Sequence, residues 1–335
     1  MNSITWDTLD WTVLDRLREI FLAGQQAPAT YWTSLEDLAN YNFTYAQRIG
    51  WKWDAVIDEL KRRSWTPPGG TLLDWGCGSG IASRRVIASY GTEHFASVGV
   101  SDHSGHAVQF AAATAREFFP GLKVTTGTGE GRIGTLVISH VLNELNEVGG
   151  RALREVIDRS DAVIWVEPGT FADSRALIQM RESLRTQFHV IAPCTHQATC
   201  GLLAPANERH WCHHFASPPP GIMADSDWVK FANRAGIDLR SLPYSFVVLE
   251  RRGVREAVPS LAAEGCSRIL GEPRIYKGYA KVLACASEGV REMELQKREA
   301  PEVYKAFKGG ESSPLWRWEV EGVRIRNPKP AHPES

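Results

Sequence analysis

The chain has 335 residues, a hydrophobic fraction of 43% and a formal net charge of −1. This balance is ordinary for a globular protein and argues against a dedicated nucleic-acid-binding protein, which is usually strongly basic. No apolar run reaches the roughly 18 residues that span a bilayer, and the N-terminus resembles neither a secretory signal nor a transit peptide. We therefore expect a cytoplasmic monomer with no membrane partner, whose six cysteines favour metal or catalytic thiols over disulfides.

Residues 1–66 carry apolar side chains at helical spacing and predict a helical cap over the next domain. A first helix is expected to end at Gly24, because glycine suits a C-cap, and a second helix is expected over residues 41–63. The second helix has an apolar face that we expect to pack inward, made of Trp51, Trp53, Val56, Ile57 and Leu60. Prolines and glycines at 67–70 then break the helical pattern.

From Thr71 short apolar runs alternate with helical segments, which predicts parallel strands joined by right-handed crossovers. Residues 67–287 are therefore predicted to form a doubly wound α/β domain with helices on both faces of its sheet. An irregular insertion rich in Cys, His and Pro interrupts it at 190–221, and YAKVLACAS is its last expected strand. Residues 288–335 are expected to form a C-terminal extension with one strand, PLWRWEVEGVRI, and a disordered end, NPKPAHPES.

The sequence LLDWGCGSG contains the first predicted strand and opens a predicted helix. Gly76, Gly78 and Gly80 allow a tight turn and a close approach of the backbone to a ligand, and the helix N-terminus presents free N–H groups. Asp74 precedes the loop, and Asp102 ends the second strand, where a carboxylate can accept hydrogen bonds from ribose hydroxyls. The G-x-G-x-G spacing differs from the G-x-G-x-x-G dinucleotide loop, and the absence of lysine excludes a P-loop.

This loop resembles motif I of class I methyltransferases, which implies that S-adenosylmethionine is the cofactor. A nicotinamide or other nucleotide and a purely structural turn are the alternatives. Nine residues are candidates for contact with the cofactor: Asp74, Gly76, Cys77, Gly78, Gly80, Asp102, His103, Ser139 and Asn143. Among them, Cys77 is interpreted as a small residue tolerated beside the cofactor rather than as a reactive thiol.

No catalytic residue can be assigned from LVISHVLNEL, the segment that contains the fourth predicted strand. It lacks the Asn/Asp-Pro-Pro-aromatic motif typical of methyltransferases that act on the amino groups of adenine or cytosine. It also lacks the nucleophilic cysteine that methylation of cytosine carbon 5 requires. The polar residues in this segment that are candidates for a catalytic role are His140, Asn143 and Glu144. His140 is compatible equally with a structural role in the core and with a role as a general base.

The insertion contains Cys194, Cys200 and Cys212 within 19 residues, together with four histidines. Thiolates gathered in this way are typical of a zinc site or an iron–sulfur cluster, and a metal can hold an irregular loop in shape. A fourth ligand is needed, for which Cys285, Cys266 and a histidine are the candidates. Cys285 ends the strand YAKVLAC, expected in the sheet near the insertion, and a strand end holds a side chain more rigidly than a loop does.

Several segments, in order along the chain, resemble the mitochondrial small-ribosomal-subunit methyltransferase-like proteins and their bacterial relatives. These segments are YNFTYAQRIGWKWDAVIDEL, LLDWGCGSG, LVISHVLNEL, VEPGT, the PC-x5-C segment, WCHHF, RIYKGYAKVLAC and KREAPEVYKAF. The resemblance implies a class I S-adenosylmethionine-dependent methyltransferase (Rossmann-like) fold with a [4Fe–4S] cluster, whose ligands become Cys194, Cys200, Cys212 and Cys285. It also implies a role in assembling the small ribosomal subunit through contact with its rRNA.

The chain departs from that family beside the cysteines. Thr195 and Gly201 stand where the family often has proline, WCHHF replaces WCHF, and ASPPP replaces a basic stretch. These changes keep the thiols but argue against an identical RNA surface. The basic residues that remain candidates for RNA contact are Arg268, Arg274, Lys277, Lys297, Arg298, Lys305 and Lys308.

Three functions are compatible with these sequence features. The first is an assembly factor of the small ribosomal subunit, with or without rRNA methyltransferase activity. The second is a small-molecule methyltransferase with a structural metal site, which the near-neutral charge favours. The third is a non-catalytic RNA-binding assembly module. Because the resemblance spans nearly the whole chain, it favours the first function.

Overall fold

The computed structural model describes residues 4–23, 31–255, 265–310 and 313–331. The chain folds into two compact units, each built from separate stretches of sequence. The first unit comprises Met1–Asp58, Thr66–Glu167 and Phe215–Tyr244, and the second comprises Glu59–Trp65, Pro168–His214 and Ser245–Ser335. None of the described helices is long and apolar enough to cross a membrane.

The N-terminal segment is helical, as predicted, but its second helix is divided. The helices are α1 Trp11–Ala23, α2 Leu35–Phe43, α3 Tyr45–Arg62, α4 Ile81–Tyr90, α5 Gly105–Phe118, α6 Glu147–Asp158, α7 Phe171–Leu184, α8 Ser226–Ala235 and α9 Pro301–Gly309. The expectation of one helix over 41–63 is wrong, because Thr44 leaves the helical conformation and its hydroxyl donates to the Asn40 carbonyl oxygen at 2.8 Å. The expected C-cap, Gly24, lies outside the described residues.

Apolar side chains pack the helical cap into the first unit. The predicted inward face of α3 is confirmed, since Trp51, at 7%, is the most exposed of its five residues. Leu17 of α1 and Leu38 of α2 pack in one cluster with Ala107 and Phe110 of α5. Burial of each large apolar side chain contributes roughly 1.5–3 kcal/mol, so the cap is part of the core rather than an appendage.

Five strands form the parallel sheet of the first unit. In chain order they are β1 Gly70–Trp75, β2 Phe95–Ser101, β3 Lys123–Thr126, β4 Ile133–Ser139 and β5 Ser160–Pro168. Their spatial order is β3-β2-β1-β4-β5, and every neighbouring pair is parallel. In the register of the sheet, Asp74 of β1 lies beside Val100 of β2 and Val137 of β4. This parallel α/β arrangement fits a class I methyltransferase fold.

The strand order reverses between β1 and β4, and this reversal positions the functional site. The chain runs from β1 outward to β2 and β3, and then returns to the other side of β1. Helices α5 and α6 start cleanly because the side chains of Ser104 and Asn146 accept hydrogen bonds from their first-turn N–H groups. Open parallel sheets bind ligands outside the carboxyl ends of the strands at such a reversal, which is where residues 76–80 lie.

In the second unit, α7 is capped by the side chain of Thr170, which accepts the N–H of Asp173. The next strands along the chain are β6 Phe188–Ala192, β7 His214–Phe215 and β8 Pro243–Arg251, and β6 pairs with β8 in antiparallel orientation. Between β6 and β7 the chain makes two short 3₁₀ turns at Gly201–Leu203 and Pro205–Asn207. The predicted irregular character of this part of the insertion is confirmed.

A closed barrel of five strands completes the second unit. The strands are β9 Ser267–Ile275, β10 Tyr279–Ala286, β11 Gly289–Gln296, β12 Leu315–Glu321 and β13 Arg324–Pro330, in the order β10-β11-β13-β12-β9. The pairs are antiparallel except β11–β13, which is parallel, and α9 connects β11 to β12. Buried Val282, Met293, Trp316 and Ile325 belong to its core.

The barrel corrects three expectations. YAKVLACAS is β10 of the barrel and is not part of the parallel sheet. The segment PLWRWEVEGVRI is two strands rather than one, because Gly322 takes a φ of +62° in the turn between β12 and β13. Residues Asn327–Pro330, expected to be disordered, lie in β13, whereas 332–335 lie outside the described residues.

Candidate functional site

Three glycines in the left-handed region form the loop at the strand-order reversal. Gly76, Gly78 and Gly80 have φ angles of +70°, +49° and +76°. A Cβ atom on Gly76 would lie 2.6 Å from Cγ1 of Val141, and one on Gly80 would lie 3.1 Å from Cβ of Ala111. A Cβ atom on Gly78 would meet no described atom within 4 Å. Two of the glycines therefore let the protein pack against itself, whereas Gly78 borders open space that a ligand can enter.

Asp102 joins the glycine loop to the end of β2. Its Oδ2 accepts the N–H of Gly78 at 3.0 Å, and its Oδ1 accepts the N–H of Ser104 at 2.9 Å. The half-exposed His103 places its Nδ1 3.3 Å from the same Oδ1. Because a carboxylate offers roughly four acceptor positions, Asp102 can still accept hydrogen bonds from ligand hydroxyls.

Asp74 lies beneath the loop rather than beside the open space. It is fully buried, and its Oδ2 accepts the hydroxyl and the N–H of Ser83 at 2.6 and 3.2 Å, which ties α4 to β1. Burial raises the pKa of Asp74 to about 7, although the Ser83 hydrogen bonds act in the opposite direction. Within the described chain, Oδ1 of Asp74 and the buried Oγ of Ser79 have no hydrogen-bond partner. Buried polar atoms without a partner are uncommon in folded proteins, and no described residue accounts for these two.

Cys77 is buried within the same loop. Burial, and then the charges of Asp74 and Asp102, raises the pKa of its thiol well above the ordinary value. Because the thiolate is the reactive form of cysteine, this side chain is unreactive near neutral pH.

His140, directly after β4, is held by two neighbours. Lys52 Nζ lies 3.4 Å from its Nε2, and Ser139 Oγ lies 3.2 Å from its Nδ1. Burial, and then the charge of Lys52, lowers the pKa of His140 well below the ordinary value, so the ring is neutral at pH 7. A protonated Lys52 makes Nε2 the acceptor and leaves the proton on Nδ1. The basic nitrogen of His140 is therefore already engaged, and the ring is not a free general base.

Glu167 and Asn143 shape the loop that follows β4. The fully buried Glu167 accepts, through Oε1, the N–H groups of Val141 and Leu142 at 3.1 and 3.3 Å and Nε1–H of Trp165 at 2.6 Å. Asn143 has a buried Oδ1 with no hydrogen-bond partner among the described residues. The loop is thus held rigidly and presents an acceptor for a donor group of a ligand. Sequence reasoning singled out Asn143 but missed Glu167, which lies in VEPGT.

Sequence reasoning also missed the contribution of the helical cap. Trp53 of α3 donates its Nε1–H to Ser139 Oγ at 3.0 Å. The Tyr31 hydroxyl donates to the Glu144 carboxylate at 3.3 Å, and burial, followed by Glu144, raises the pKa of Tyr31 above its ordinary range. Helical periodicity identifies inward-facing residues, but it does not show that they reach the end of β4.

In the second unit, three of the four candidate ligand cysteines pack in one cluster, and Cys194 lies close enough to affect their pKa values. Cys200, Cys212 and Cys285 lie in a cluster whose apolar members are Ile178, Leu202, Leu203, Leu270, Leu283 and Val290. Burial, and then the neighbouring Cys194, Cys200 and Cys285, raises the pKa of Cys212 well above its ordinary value. Burial, and then Cys194, raises the pKa of Cys200 to about 11. Cys266 is not a member of this cluster.

Buried arginines lie around the cysteine cluster. Arg268 is 2% exposed and donates to both oxygens of Glu59, at 2.6 and 2.8 Å. Arg63 donates to the same Glu59 at 3.0 Å and to the carbonyl oxygen of Cys194 at 3.1 Å. The carboxylate of Glu59 therefore serves both arginines. The prediction that Arg268 contacts RNA is wrong, because its guanidinium is buried in this ion pair.

Gly201 lets the insertion approach the barrel closely. A Cβ atom on Gly201 would lie 2.7 Å from the nitrogen of Val290 and 2.8 Å from Cα of Gly289. Asn207 Nδ2 donates to the carbonyl oxygens of Gly201 and Val290 at 2.9 and 3.1 Å. These contacts bring the loop that carries Cys200 against the β10–β11 turn beside Cys285. They give the physical reason for glycine at a position where proline is common in the family that the sequence resembles.

Within the part of the chain described, no three side chains of His, Cys, Asp or Glu are close enough to hold one metal ion. Zinc binds sulfur at about 2.3 Å and requires its thiolates around a single point. The described residues therefore give no support to a preformed zinc site, and none to a preformed iron–sulfur site.

The family model described as mitochondrial small ribosomal subunit Rsm22 matches residues 54–317. This chain belongs to the Rsm22 family. The match covers the glycine loop, the four clustered cysteines and most of the barrel. A search of curated proteins finds no match to this Rsm22-family chain.

Solved methyltransferase structures are similar to the Rsm22-family chain at low sequence identity. Magnesium protoporphyrin IX methyltransferase from Synechocystis PCC 6803, with bound S-adenosylmethionine, is 15% identical with a TM-score of 0.37. That match covers 75% of this chain and 99% of the other. A putative RNA methyltransferase from Pyrococcus horikoshii is 13% identical with a TM-score of 0.35, over 62% of this chain and 84% of the other.

Proposed function

We propose that this Rsm22-family protein acts in assembly of the small ribosomal subunit, where it contacts rRNA, binds S-adenosylmethionine and carries a [4Fe–4S] cluster. The family to which the chain belongs is described as mitochondrial small ribosomal subunit Rsm22, and this supports the small ribosomal subunit as the partner. We assign S-adenosylmethionine to the glycine loop in the first unit and the [4Fe–4S] cluster to the cysteines in the second unit. The two assignments are independent of each other.

The observation that best supports cofactor binding is the open space at Gly78, whose N–H donates to Asp102. Val141 and Ala111 occupy the space beside Gly76 and Gly80. Among the three glycines of the loop, Gly78 is therefore the one that borders open space in the described structure. Asp102 suits ribose hydroxyls, and the Asn143 amide oxygen, buried without a partner in the described chain, suits a donor such as an amino group. The N-terminus of α4 adds a partial positive charge that suits a carboxylate.

Bound S-adenosylmethionine supplies an activated methyl group. The residues around it orient and enclose rather than move protons. Tyr31 and Trp53 come from the helical cap and engage Glu144 and Ser139 at the loop after β4. Burial and the charge of Lys52 lower the pKa of His140, and Lys52 Nζ lies 3.4 Å from its Nε2, so His140 is a weak base with a nitrogen already engaged. We therefore assign cofactor binding to these residues and assign no catalytic residue.

The iron–sulfur proposal rests on the convergence of Cys194, Cys200, Cys212 and Cys285 in an apolar setting beside buried arginines. Protonated thiols need no such charge, but four thiolates do. Two histidines also face the sulfurs: Nε2 of His214 lies 3.6 Å from Sγ of Cys212, and Nε2 of His196 lies 3.8 Å from Sγ of Cys285. Hydrogen bonds of this kind stabilise thiolate ligands.

Three measurements on the full chain test the proposal. Anaerobically purified protein should sediment with immature small subunits, and free protein should remain in the upper fractions of the gradient. Titration calorimetry should detect S-adenosylmethionine or its demethylated product but not NADH. Transfer of labelled methyl groups to subunit RNA separates an enzyme from a binding factor. Absence from the subunit fractions together with methylation of a small molecule would instead identify a metabolic methyltransferase.

A further inference from the structure

The C-terminal barrel has the connectivity of an OB-fold, a five-stranded barrel that binds oligonucleotides through its second and third strands and two loops. Its strands follow the order first-second-third-fifth-fourth, closing back on the first. The third and fifth strands, β11 and β13, pair in parallel, and α9 lies between the third and fourth strands. Sequence reasoning missed this domain, because β9 and β11 lie in stretches without a clear strand pattern.

Connectivity alone does not establish a function, so we consider the residues on the surface of the barrel. Part of the outer face of β9, β10 and β11, called the strand face, is already covered, because Leu270, Leu283 and Val290 pack in the cysteine cluster. Further along the face, Lys281 is paired with Glu292 at 2.7 Å, and Arg274 is paired with the same carboxylate. Lys281 and Arg274 are therefore already neutralised by a carboxylate, which weakens the attraction of this part of the strand face for a polyanion.

The loop end of the barrel is different. We define it as the β9–β10 loop Tyr276–Gly278, the β12–β13 turn Gly322–Val323, and Lys297 after β11. Lys297 N–H donates to the Gly278 carbonyl oxygen at 3.0 Å, and Glu294 N–H donates to the Val323 carbonyl oxygen at 2.7 Å. Both loops are thus attached to the C-terminal half of β11, Gly278 at Lys297 and Val323 at Glu294.

An aromatic platform lies on this loop end. Tyr276 is 41% exposed and stacks on Tyr279, with ring centroids 4.7 Å apart and an interplanar angle of 9°. The Tyr304 hydroxyl donates to the Tyr276 carbonyl oxygen at 2.5 Å, so the loop backbone is held independently of the Tyr276 side chain. One ring face is supported by Tyr279, which leaves the other available to a planar partner.

Three exposed cations, Lys277, Lys297 and Arg324, lie on or next to these loops and form no ion pair with a described residue. Lys297 also lies over an aromatic ring, since its Nζ is 5.6 Å from the ring centroid of Tyr304. The exposed Val323, at 55%, adds an apolar surface on the adjacent turn. Stacked aromatic rings near cations that have no carboxylate partner can bind the bases and phosphates of single-stranded RNA. In a duplex the faces of the bases are stacked on one another and cannot reach such a ring.

We propose that the loop end binds single-stranded RNA, with Tyr276 as the stacking residue and Lys277, Lys297 and Arg324 as phosphate contacts. This inference rests on the proposed function, because it names the surface through which the protein contacts rRNA. It also replaces most of the basic residues predicted from the sequence by a smaller set on one surface.

The test uses full-length holoprotein and fluorescence anisotropy with a labelled uridine 12-mer and a 12-base-pair RNA duplex. Wild type should prefer the single strand. Tyr276→Ala should weaken single-strand binding about tenfold or more through loss of one base stack, whereas Tyr276→Phe should keep it. Lys277→Gln combined with Lys297→Gln should reduce the slope of log affinity against log salt by roughly 1.4. Phe118→Ala, which removes a 61%-exposed aromatic from the first unit, is the matched control and should change nothing.

Unchanged thermal unfolding of Tyr276→Ala confirms that the loop stays folded. Wild-type affinity of Tyr276→Ala for the single strand, or a wild-type preference for the duplex, overturns the inference. If Tyr276→Ala loses small-subunit binding but keeps RNA affinity, the loop end contacts a protein and the inference is also wrong. If wild type binds subunits and Tyr276→Ala matches it in both assays, the inference fails while the proposed function stands. If wild type binds neither RNA nor subunits, the proposed function itself fails.

Discussion

The glycine loop of the first unit and the cysteine cluster of the second are both candidate cofactor sites, but they are built in opposite ways. The loop at Gly78 is open, and its shape is set by backbone conformation and by Asp102 hydrogen bonds internal to the protein. The cluster is closed and apolar, and its thiols face buried arginines. The protein itself therefore sets the shape of the first site, whereas we propose that the second is stabilised by the [4Fe–4S] cluster that it binds.

The largest effect is expected from removing one thiol of the cluster. Cys285→Ser should abolish the visible absorbance of the anaerobic protein and lower the free energy of unfolding by on the order of 5 kcal/mol, because metal binding is coupled to folding. Cys266→Ser is the matched control, since Cys266 is buried but lies outside the cluster. Iron and sulfide should be present in equal amounts in wild type and in the control. Loss of metal in Cys266→Ser but not in Cys285→Ser would show that the fourth ligand is assigned wrongly.

The next effect tests the buried charge beside the cluster. Glu59→Gln leaves Arg63 and Arg268 without their carboxylate, and we expect it to cost about 3–5 kcal/mol in chemical denaturation. Glu155→Gln on the exposed side of α6 should change stability by less than about 0.5 kcal/mol. If the two variants were equally stable, the arginines would not depend on Glu59 for compensation.

The open site should lose its ligand without losing its fold. Gly78→Val should weaken S-adenosylmethionine binding by at least about 100-fold, or roughly 3 kcal/mol, because the side chain enters the ligand space. Gly121→Val is the matched control: Gly121 also has a positive φ, +98°, and nothing within 4 Å of its Cβ position. Both variants should show a similar loss of stability, since both strain the backbone. Calorimetry that found equal cofactor affinity in the two variants would contradict the assignment.

The smallest effect concerns the pH dependence of stability. Burial raises the folded-state pKa of Asp74 from 3.8 to about 7, so between these values the folded protein retains a proton that the unfolded chain has lost. Stability should therefore fall as pH rises through this window, by at most about 1.4 kcal/mol per pH unit, and become constant above it. Asp74→Asn should remove this contribution. Urea denaturation of both proteins from pH 5 to pH 8 measures it, and parallel pH profiles would show that Asp74 titrates normally.

Much of the first unit follows from local patterns. The G-x-G-x-G loop after an apolar run predicts a strand–turn–helix, and the three positive φ angles confirm the need for glycine. The apolar face of α3 can also be predicted from the sequence, because apolar residues at helical spacing indicate which side chains face inward. Local patterns fail where a single residue redirects the backbone: Thr44 splits the expected helix through its hydroxyl, and Gly322, with its positive φ, divides the expected last strand.

The sequence by itself determined the glycine loop, the clustering of cysteines and the family, since these depend on residue types at short spacing. Only the tertiary structure decided that Asp74 supports the loop from below, that Arg268 is buried with Glu59, and that Cys285 belongs to a barrel. It also showed Lys52 and Trp53 at the end of β4 and Tyr276 stacked on Tyr279. The physical reason is separation along the chain: Glu59 and Arg268 lie 209 residues apart, and no periodicity links positions that meet only when elements pack.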